Sequence, residues 1–278
     1  MRLATLLAAA AVTASTLLAA APASAATYTL YIHGRNGGTP NGWDYWGGPQ
    51  GGVNAIPVNY DGTQYISVSN PTVNSYLDAY CTNGNTCYIA AHSAGNAQIG
   101  YSVANNPYRW SIQWVVGGGA CGGGTELSSW GGWASDNLAY ELTPGTVRGE
   151  YNHDLLGDKI VGYVHTLSGS DWSSLTNLFI SGNNDGVVPY HSSLGSRNTG
   201  GYDNGHNNDN DFRGWGPNSY PPSAGGGNLG GVSKWDYTWI NFVEKTESPH
   251  WYSVWSGQNY THSAIKSAIN GYASSFAY

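Results

Sequence analysis

Short apolar runs alternate along this chain with segments of helical periodicity, and that alternation limits the fold more than any other feature. The predicted strands are 28–34, 54–60, 87–93, 111–119 and 177–182, and the predicted helices are 70–80, 94–106 and 263–276. Parallel strands need a crossover connection, which is usually a helix, so this order of elements predicts parallel pairing. We therefore expect a layered α/β domain.

One of the predicted helices carries a start signal of its own. Asn70 has the side chain of an N-cap residue, and Pro71 follows it at the first helical position, where a missing N–H does no harm. The sequence therefore predicts that this helix begins at residue 70 and runs to residue 80.

The first 25 residues have the pattern of an export signal and are excluded from the fold. Arg2 supplies a positive start, a long apolar stretch follows, and the small residues 23–25 form a cleavage signature. We expect cleavage after Ala25, secretion, and a single mature domain over 26–278. The alternative is an uncleaved membrane anchor, which Pro22 and the small residues disfavour. No later segment is long and apolar enough to cross a bilayer.

The charge balance excludes one class of partner. The chain has 17 acidic and 10 basic residues, a net charge of −7, and its basic residues are not clustered, which excludes nucleic acid as a partner. Charged residues make up only 10% of the chain, so its surface depends on polar and aromatic side chains, including 21 tyrosines and 12 tryptophans. Such a surface meets sugars, lipids or polymers without a charge barrier.

The cysteines are predicted to include one disulfide, because export brings them to a compartment where disulfides persist. Cys81 and Cys87 flank the turn-forming stretch TNGNT, which favours a bridge between them and leaves Cys121 buried and inert. A bridge from Cys121 to either of the others is the alternative, since sequence does not determine connectivity.

Residues 199–231, rich in glycine, asparagine and proline, are predicted to be a loop insertion, because helical and apolar segments follow them. Long loops of this kind often act as lids or binding loops. The oxygen-rich stretch 203–211 does not fit a calcium loop, since Arg213 and Tyr220 would fall at ligand positions if Asp209 were the first ligand. No Cys/His spacing suits zinc, and we predict no metal and no cofactor.

The stretch AAHSAG at 90–95 places Ser93 where a buried strand turns sharply into a helix. In an open α/β sheet, ligand sites lie beyond the carboxyl ends of the strands. A tight turn there needs small residues on both sides of the serine, and Ala91 and Gly95 supply them. The pattern is the nucleophile elbow Gly-x-Ser-x-Gly with its first glycine replaced by alanine. A turn that serves packing alone is the alternative.

This elbow, together with YIHGRNGG at 31–38 and FISGNNDGVVP at 179–189, resembles the α/β-hydrolase superfamily, particularly its secreted bacterial lipases and esterases. The resemblance implies an α/β-hydrolase fold, in which helices flank a mostly parallel central sheet in three α/β/α layers. It also implies that Ser93 is a catalytic nucleophile.

The resemblance places His33 and Gly34 in an oxyanion loop that follows the first strand. The hole itself would consist of two backbone N–H groups, those of Arg35 and Ala94. His33 is expected to be structural. An ordinary glycine-rich loop is the alternative for this stretch.

The same resemblance implies that Asp185 is the acid, because it follows the predicted strand 177–182. It would accept the Nδ1–H of a histidine and hold the reactive tautomer. The alternative is a turn aspartate in an Asp-Gly pair. Asp158 and Asp171 precede the strand and are poorer candidates.

The histidine should lie downstream of the acid, since the superfamily's chain order is nucleophile, acid, histidine. His262 lies directly before the last predicted helix and fits best, with His250 as second choice. His191 is close to Asp185 in sequence and is expected to flank the site, and His206 lies in the loop insertion.

With these roles, the resemblance implies a secreted serine hydrolase that cleaves a carboxylic ester, whether small-molecule, lipid or polymer, through an acyl-enzyme. An amidase or an acyltransferase on the same triad is one alternative. A non-catalytic protein that keeps the fold and binds a polymer or lipid through its aromatic surface is another. We expect a monomer.

Overall fold

The computed structural model describes residues 25–38, 41–130, 135–151, 163–167, 175–180, 184–188, 242–244, 251–254 and 261–275. The export signal up to residue 24, the loop insertion 199–231 and the histidines His191, His206 and His250 lie outside the described residues. Secretion and the single domain over 26–278 therefore stay predictions.

A seven-stranded sheet forms the centre of the fold. Its strands are β1 (Thr27–Ile32), β2 (Ala55–Val58), β3 (Thr86–His92), β4 (Ile112–Gly118), β5 (Tyr163–Leu167), β6 (Phe242–Glu244) and β7 (Trp251–Val254). They lie in the order β2-β1-β3-β4-β5-β7-β6. All neighbours pair in parallel except β6 and β7, which are antiparallel. The carboxyl ends of the parallel strands therefore meet at one edge.

Helices lie on both faces of this sheet: α1 (Ile66–Tyr80) and α2 (Ala94–Asn105) on one, and α5 (Ile265–Ser275) on the other. The short helices α3 (Asn137–Glu141) and α4 (Pro144–Glu150) pack beside α2. Successive side chains of β3 point to opposite faces, so Ile89 packs with Val73 of α1 and Ile99 of α2, while Ala90 packs with Ile269 of α5. The mostly parallel sheet between helical layers confirms the predicted α/β/α class.

Helix α1 begins at Ile66, before the start predicted at residue 70, and Pro71 lies inside it. Asn70 is buried and its amide donates to Ser102 Oγ at 2.8 Å, so it ties α1 to α2 instead of capping the helix. Proline removes one i→i−4 hydrogen bond. The carbonyl that loses its donor here belongs to Ser67, which is exposed to water. The helix therefore continues through the proline.

The strand predicted over 177–182 is wrong for the residues described there. Leu175–Leu178 form a 3₁₀ helix, and Phe179 follows in a turn with 40% of its surface exposed. A central parallel strand must be buried on both faces, which this run is not. The neighbour of β4 is β5, which sequence reasoning missed.

In the described part of the chain, no helix has the length and apolarity needed to cross a membrane.

Cys81 and Cys87 are joined by a disulfide, the pairing favoured from the sequence, and Cys121 is free and buried. The bridge connects the residue after α1 to the second residue of β3, and both cysteines are fully buried. It therefore fixes the end of α1 against the strand that leads to Ser93.

Replacing both Cys81 and Cys87 by alanine should lower the free energy of unfolding by about 2 kcal/mol. Without the short closed loop, the unfolded chain gains conformational entropy. Urea denaturation monitored by circular dichroism measures this. Thiol titration of the denatured, unreduced parent protein should find one reactive group. Three reactive groups would contradict the bridge.

Candidate active site

Ser93 lies in the tight turn between β3 and α2, at the carboxyl edge of the sheet. Its backbone has φ 55° and ψ −128°, a conformation that a residue with a side chain adopts only under strain. The turn requires glycine at 95, since a Cβ there would lie 2.4 Å from the Ile32 carbonyl oxygen. Small neighbours therefore allow α2 to start against β1 and leave the Ser93 side chain at the edge.

The Ser93 side chain borders a cavity of about 170 Å³ at this edge. The cavity wall also includes His262, Arg35, Tyr45 and Cys121. The serine and the predicted histidine, far apart in sequence, thus share one cavity. Ser93 is 7% exposed, so little of the turn reaches solvent.

His262 and Asp185 are joined through both side chain and main chain. The His262 Nδ1 lies 2.8 Å from Asp185 Oδ2, and the His262 N–H donates to the Asp185 carbonyl oxygen at 2.8 Å. A carboxylate only accepts, so Nδ1 carries a proton and the neutral ring keeps a lone pair on Nε2. The structure thus brings the predicted acid and the predicted histidine into direct contact.

The Asp185 carboxylate has further partners in its own loop. Its Oδ1 accepts from the N–H groups of Val187 and Val188, at 3.0 and 2.7 Å. The side chain is only 2% exposed. Bonds to backbone donors offset the cost of burying a carboxylate and fix its orientation toward His262.

The glycines that end β4 make room for this pair. A Cβ on Gly118 would lie 2.2 Å from Ile265 of α5, and one on Gly119 would lie 2.7 Å from His262 Nδ1 and 2.8 Å from Asp185 Oδ2. Gly119 also has φ 52°, which favours glycine. From the sequence alone, this glycine run predicts only the end of the strand 111–119.

The predicted oxyanion loop packs against the serine. A Cβ on Gly34 would lie 2.7 Å from the Ser93 Cβ, so the absence of a side chain permits this approach. Among the described residues, the N–H groups of Arg35 and Ala94 have no acceptor. Both donors are therefore available for a hydrogen bond.

The Arg35 side chain ties this loop to α3. Its Nε donates to Asp136 Oδ2 at 2.7 Å and its Nη2 donates to Ser135 Oγ at 2.6 Å, while Nη2 also lies 2.7 Å from Asp136 Oδ2 in an ion pair. Asp136 also caps α3 by accepting the N–H of Ala139 at 2.8 Å. The two walls of the cavity that Arg35 and Ala139 line are thus joined.

His33 has the structural surroundings expected of it. Its ring stacks on Tyr60 with centroids 4.0 Å apart, and its nitrogens lie 2.7 and 3.1 Å from the carbonyl oxygens of Gly34 and Tyr60. Burial lowers the pKa of His33, which keeps the ring neutral. Neither nitrogen faces the Ser93 hydroxyl.

Cys121 makes a contact that the sequence did not predict. Its Sγ lies 3.6 Å from Ser93 Oγ, and its N–H donates to the Ser93 carbonyl oxygen at 3.3 Å. Burial raises the pKa of the thiol to about 12, so it is uncharged at neutral pH. Within the described residues, Ser93 Oγ forms this contact and no hydrogen bond to His262.

Tyr45 and His92 form hydrogen bonds at the site that the sequence does not predict. Tyr45 Oη lies 2.5 Å from Nδ1 of His92, and Nε2 of His92 lies 2.7 Å from the His262 carbonyl oxygen. Its place beside Ser93 in the sequence predicts only packing or a hydrogen bond below the nucleophile. No sequence signal connects these positions, which lie 47 and 170 residues apart.

The described residues contain no group of three or more His, Cys, Asp or Glu side chains that could hold a metal ion. The stretch 203–211 lies outside them, as does the second-choice base His250.

Gly119→Ala should lower the free energy of unfolding by about 2–4 kcal/mol, because the new methyl group meets His262 and Asp185 at a strained φ. The matched control is Gly271→Ala in α5, where a Cβ has nothing within 4 Å. That change should stabilise the protein by about 0.5–1 kcal/mol. Urea midpoints compare the two, and equal midpoints would contradict the crowding at Gly119.

No protein-family model matches the chain, and no curated protein does. Among solved structures, it is similar to the Bacillus licheniformis lipase BlEst2 in mature form, with 18% identity and a TM-score of 0.45, over 60% of this chain and 79% of that one. It is also similar to the phospholipase PlaB from Legionella pneumophila, with 12% identity and a TM-score of 0.44, over 60% of this chain and 45% of that one.

A third similar structure is the metagenomic carboxyl esterase MGS0156, with 11% identity and a TM-score of 0.40, over 59% of each chain. The chain spans less than two thirds of the length of PlaB and of this esterase. Identities and TM-scores this low indicate no function for the present chain.

Proposed function

We propose that this protein is a secreted serine hydrolase of the α/β-hydrolase superfamily that cleaves carboxylic esters. The observation that carries the proposal is the strained turn that presents Ser93 to the same cavity as His262, whose Nδ1 donates to the buried carboxylate of Asp185. The chain order serine, acid, histidine fits the same superfamily. The proposal assigns the three residues as nucleophile, base and orienting acid.

In the proposed first step, Nε2 of His262 takes the proton of the Ser93 hydroxyl as its oxygen attacks the ester carbonyl. Asp185 stabilises the imidazolium that forms, since it already accepts the Nδ1–H. The proton then passes to the leaving alcohol, and an acyl group remains on Ser93. In the second half, His262 takes a proton from water as the water oxygen attacks the acyl carbonyl. That proton then passes to the Ser93 oxygen as the bond to the acyl group breaks and the acid leaves.

The Ser93 hydroxyl must leave Cys121 to reach His262 in this mechanism. Its contact with the thiol at 3.6 Å is weak, because sulfur is a poor hydrogen-bond partner. Catalytic hydrogen bonds are often long or absent before substrate binds and shorten in the complex.

The free N–H groups of Arg35 and Ala94 are the proposed oxyanion hole. Each donor aimed at the developing negative oxygen contributes about 3–4 kcal/mol to the rate of the chemical step. Ala94 is the first residue of α2, so its N–H also lies at the positive end of a helix dipole.

The size of the cavity favours a substrate with a small acyl group. Its wall includes the apolar side chains of Leu127, Ala139, Leu142 and Val187, together with the small polar residues Thr125 and Ser128. A cavity of about 170 Å³ is close to the ~150 Å³ that holds one benzene molecule. We therefore propose esters of short acyl chains as substrates.

Ser93→Ala should abolish covalent labelling by a fluorophosphonate and lower kcat by about 10⁴-fold or more. Ser75→Ala is the matched control, since Ser75 is exposed on α1 and its hydroxyl bonds to the Thr72 carbonyl oxygen. Mass spectrometry of labelled peptides measures the first effect. A parent protein that hydrolyses no ester and never labels would refute the proposed function in favour of a binding protein.

Nitrophenyl esters of graded length should give the highest kcat/KM for short acyl chains. Leu142→Ala should shift the optimum to longer chains by enlarging the cavity, with a change in relative kcat/KM on the order of 10-fold. Leu138→Ala removes an equally buried leucine of α3 that does not line the cavity. It should lose stability without changing the order of preference, and a shift in both variants would contradict the assignment.

A further inference from the structure

We infer that His92 is a positioning residue, which holds the main chain of His262 by linking it to Tyr45 through two hydrogen bonds. The inference rests on the proposed function, in which His262 is the base. His92 is the last residue of β3, directly before the nucleophile, and only 2% exposed. It belongs to neither the triad nor the oxyanion hole.

The partners of the ring determine its tautomer. Nε2 of His92 lies 2.7 Å from the carbonyl oxygen of His262. A carbonyl oxygen only accepts, so the proton is on Nε2. Nδ1 of the neutral ring is then an acceptor, and Tyr45 Oη, at 2.5 Å, donates its hydroxyl proton to it.

Tyr45 lies against the predicted oxyanion loop. A Cβ on Gly34 would lie 2.4 Å from Tyr45 Oη, so no side chain fits there. The two hydrogen bonds run in one direction, from Tyr45 to His92 and from His92 to His262. Hydrogen bonds that point the same way along a buried chain strengthen one another.

Charged groups around His92 favour its neutral form. His262 and Lys266 both carry a positive charge when protonated, and they act on His92 from α5 and the loop before it. The Lys266 ammonium also donates to the Tyr45 carbonyl oxygen at 3.0 Å. Burial and these neighbours lower the pKa of His92. A neutral ring keeps Nδ1 available to Tyr45.

His262 is therefore held at both of its main-chain polar groups. Its N–H donates to Asp185 and its C=O accepts from His92, while its ring bonds to the Asp185 carboxylate. Removing His92 would leave the His262 carbonyl without this donor and the Tyr45 hydroxyl without this acceptor. The hydrogen bonds to Asp185 alone would then hold His262 in place.

A packing role alone predicts something different. The His92 ring also contacts aromatic neighbours, with its centroid 4.7 Å from that of His262 and 6.3 Å from that of Trp46. If only these contacts mattered, phenylalanine would serve as well as histidine. The two roles are therefore separated by comparing His92→Phe, which keeps a ring, with His92→Gln, which keeps an N–H near the position of Nε2.

The experiment measures kcat and KM on a short-chain nitrophenyl ester for the full protein and its variants. His92→Phe should lower kcat by about 10-fold or more with KM within about 2-fold, and His92→Gln should recover most of that loss. Tyr45→Phe should lower kcat by a smaller factor. Tyr31→Phe is its matched control, since the buried Tyr31 hydroxyl bonds to the Gly51 carbonyl oxygen at 2.8 Å. That variant should keep kcat. Full kcat in His92→Phe would overturn the inference.

A second measurement does not depend on activity. In protein labelled with ¹⁵N-histidine, the ring assigned to His92 by its absence in His92→Gln should remain a neutral Nε2–H imidazole from pH 5 to 8. A proton on Nδ1, or titration in that range, would overturn the inference even in an active enzyme. A parent protein without esterase activity that still shows this tautomer would refute the proposed function and leave the bond network intact.

Discussion

The double connection between Asp185 and His262 is the interaction on which the rest of the site depends. It joins a short loop after the 3₁₀ helix Leu175–Leu178 to the residues that lead into α5, both by side chain and by main chain. Gly119 makes it possible by leaving space beside both atoms. His92 then fixes the carbonyl of the same histidine. Two neighbouring strands, β3 and β4, thus end beside this pair, because the carboxyl ends of parallel strands meet at one edge.

The strained conformation at Ser93 costs about 1–3 kcal/mol, and the surrounding structure must hold it. The Ser93 N–H donates to the Gly118 carbonyl oxygen and its carbonyl accepts from Cys121, so both main-chain groups are bound across the turn. The buried strands β1, β3 and β4 and the disulfide at the start of β3 supply a rigid base. Strain at this point is therefore typical of a functional turn rather than a defect of packing.

Features that depend on local sequence were predictable, and contacts between residues far apart in the chain were not. Alternating strands and helices predicted the layers, and AAHSAG predicted the turn at Ser93, because both signals are local. Pro71 led to a wrong start for α1. Proline is disfavoured inside a helix because one carbonyl loses its donor, but here that carbonyl is exposed to water and can bond there. The strand over 177–182 failed because apolar content alone does not reveal an exposed turn. Tyr45 and Cys121 join the site only through folding, which no single stretch of sequence encodes.

The ion pair between Arg35 and Asp136 has a consequence for selectivity. Arg35 carries one proposed oxyanion donor on its backbone, while its guanidinium holds the first turn of α3, whose Ala139 lines the cavity. An acyl group that pushes this wall outward would also pull the amide away from the reacting oxygen. Oversized esters would then dock but turn over slowly, so discrimination by size would be expressed in the chemical step rather than in affinity.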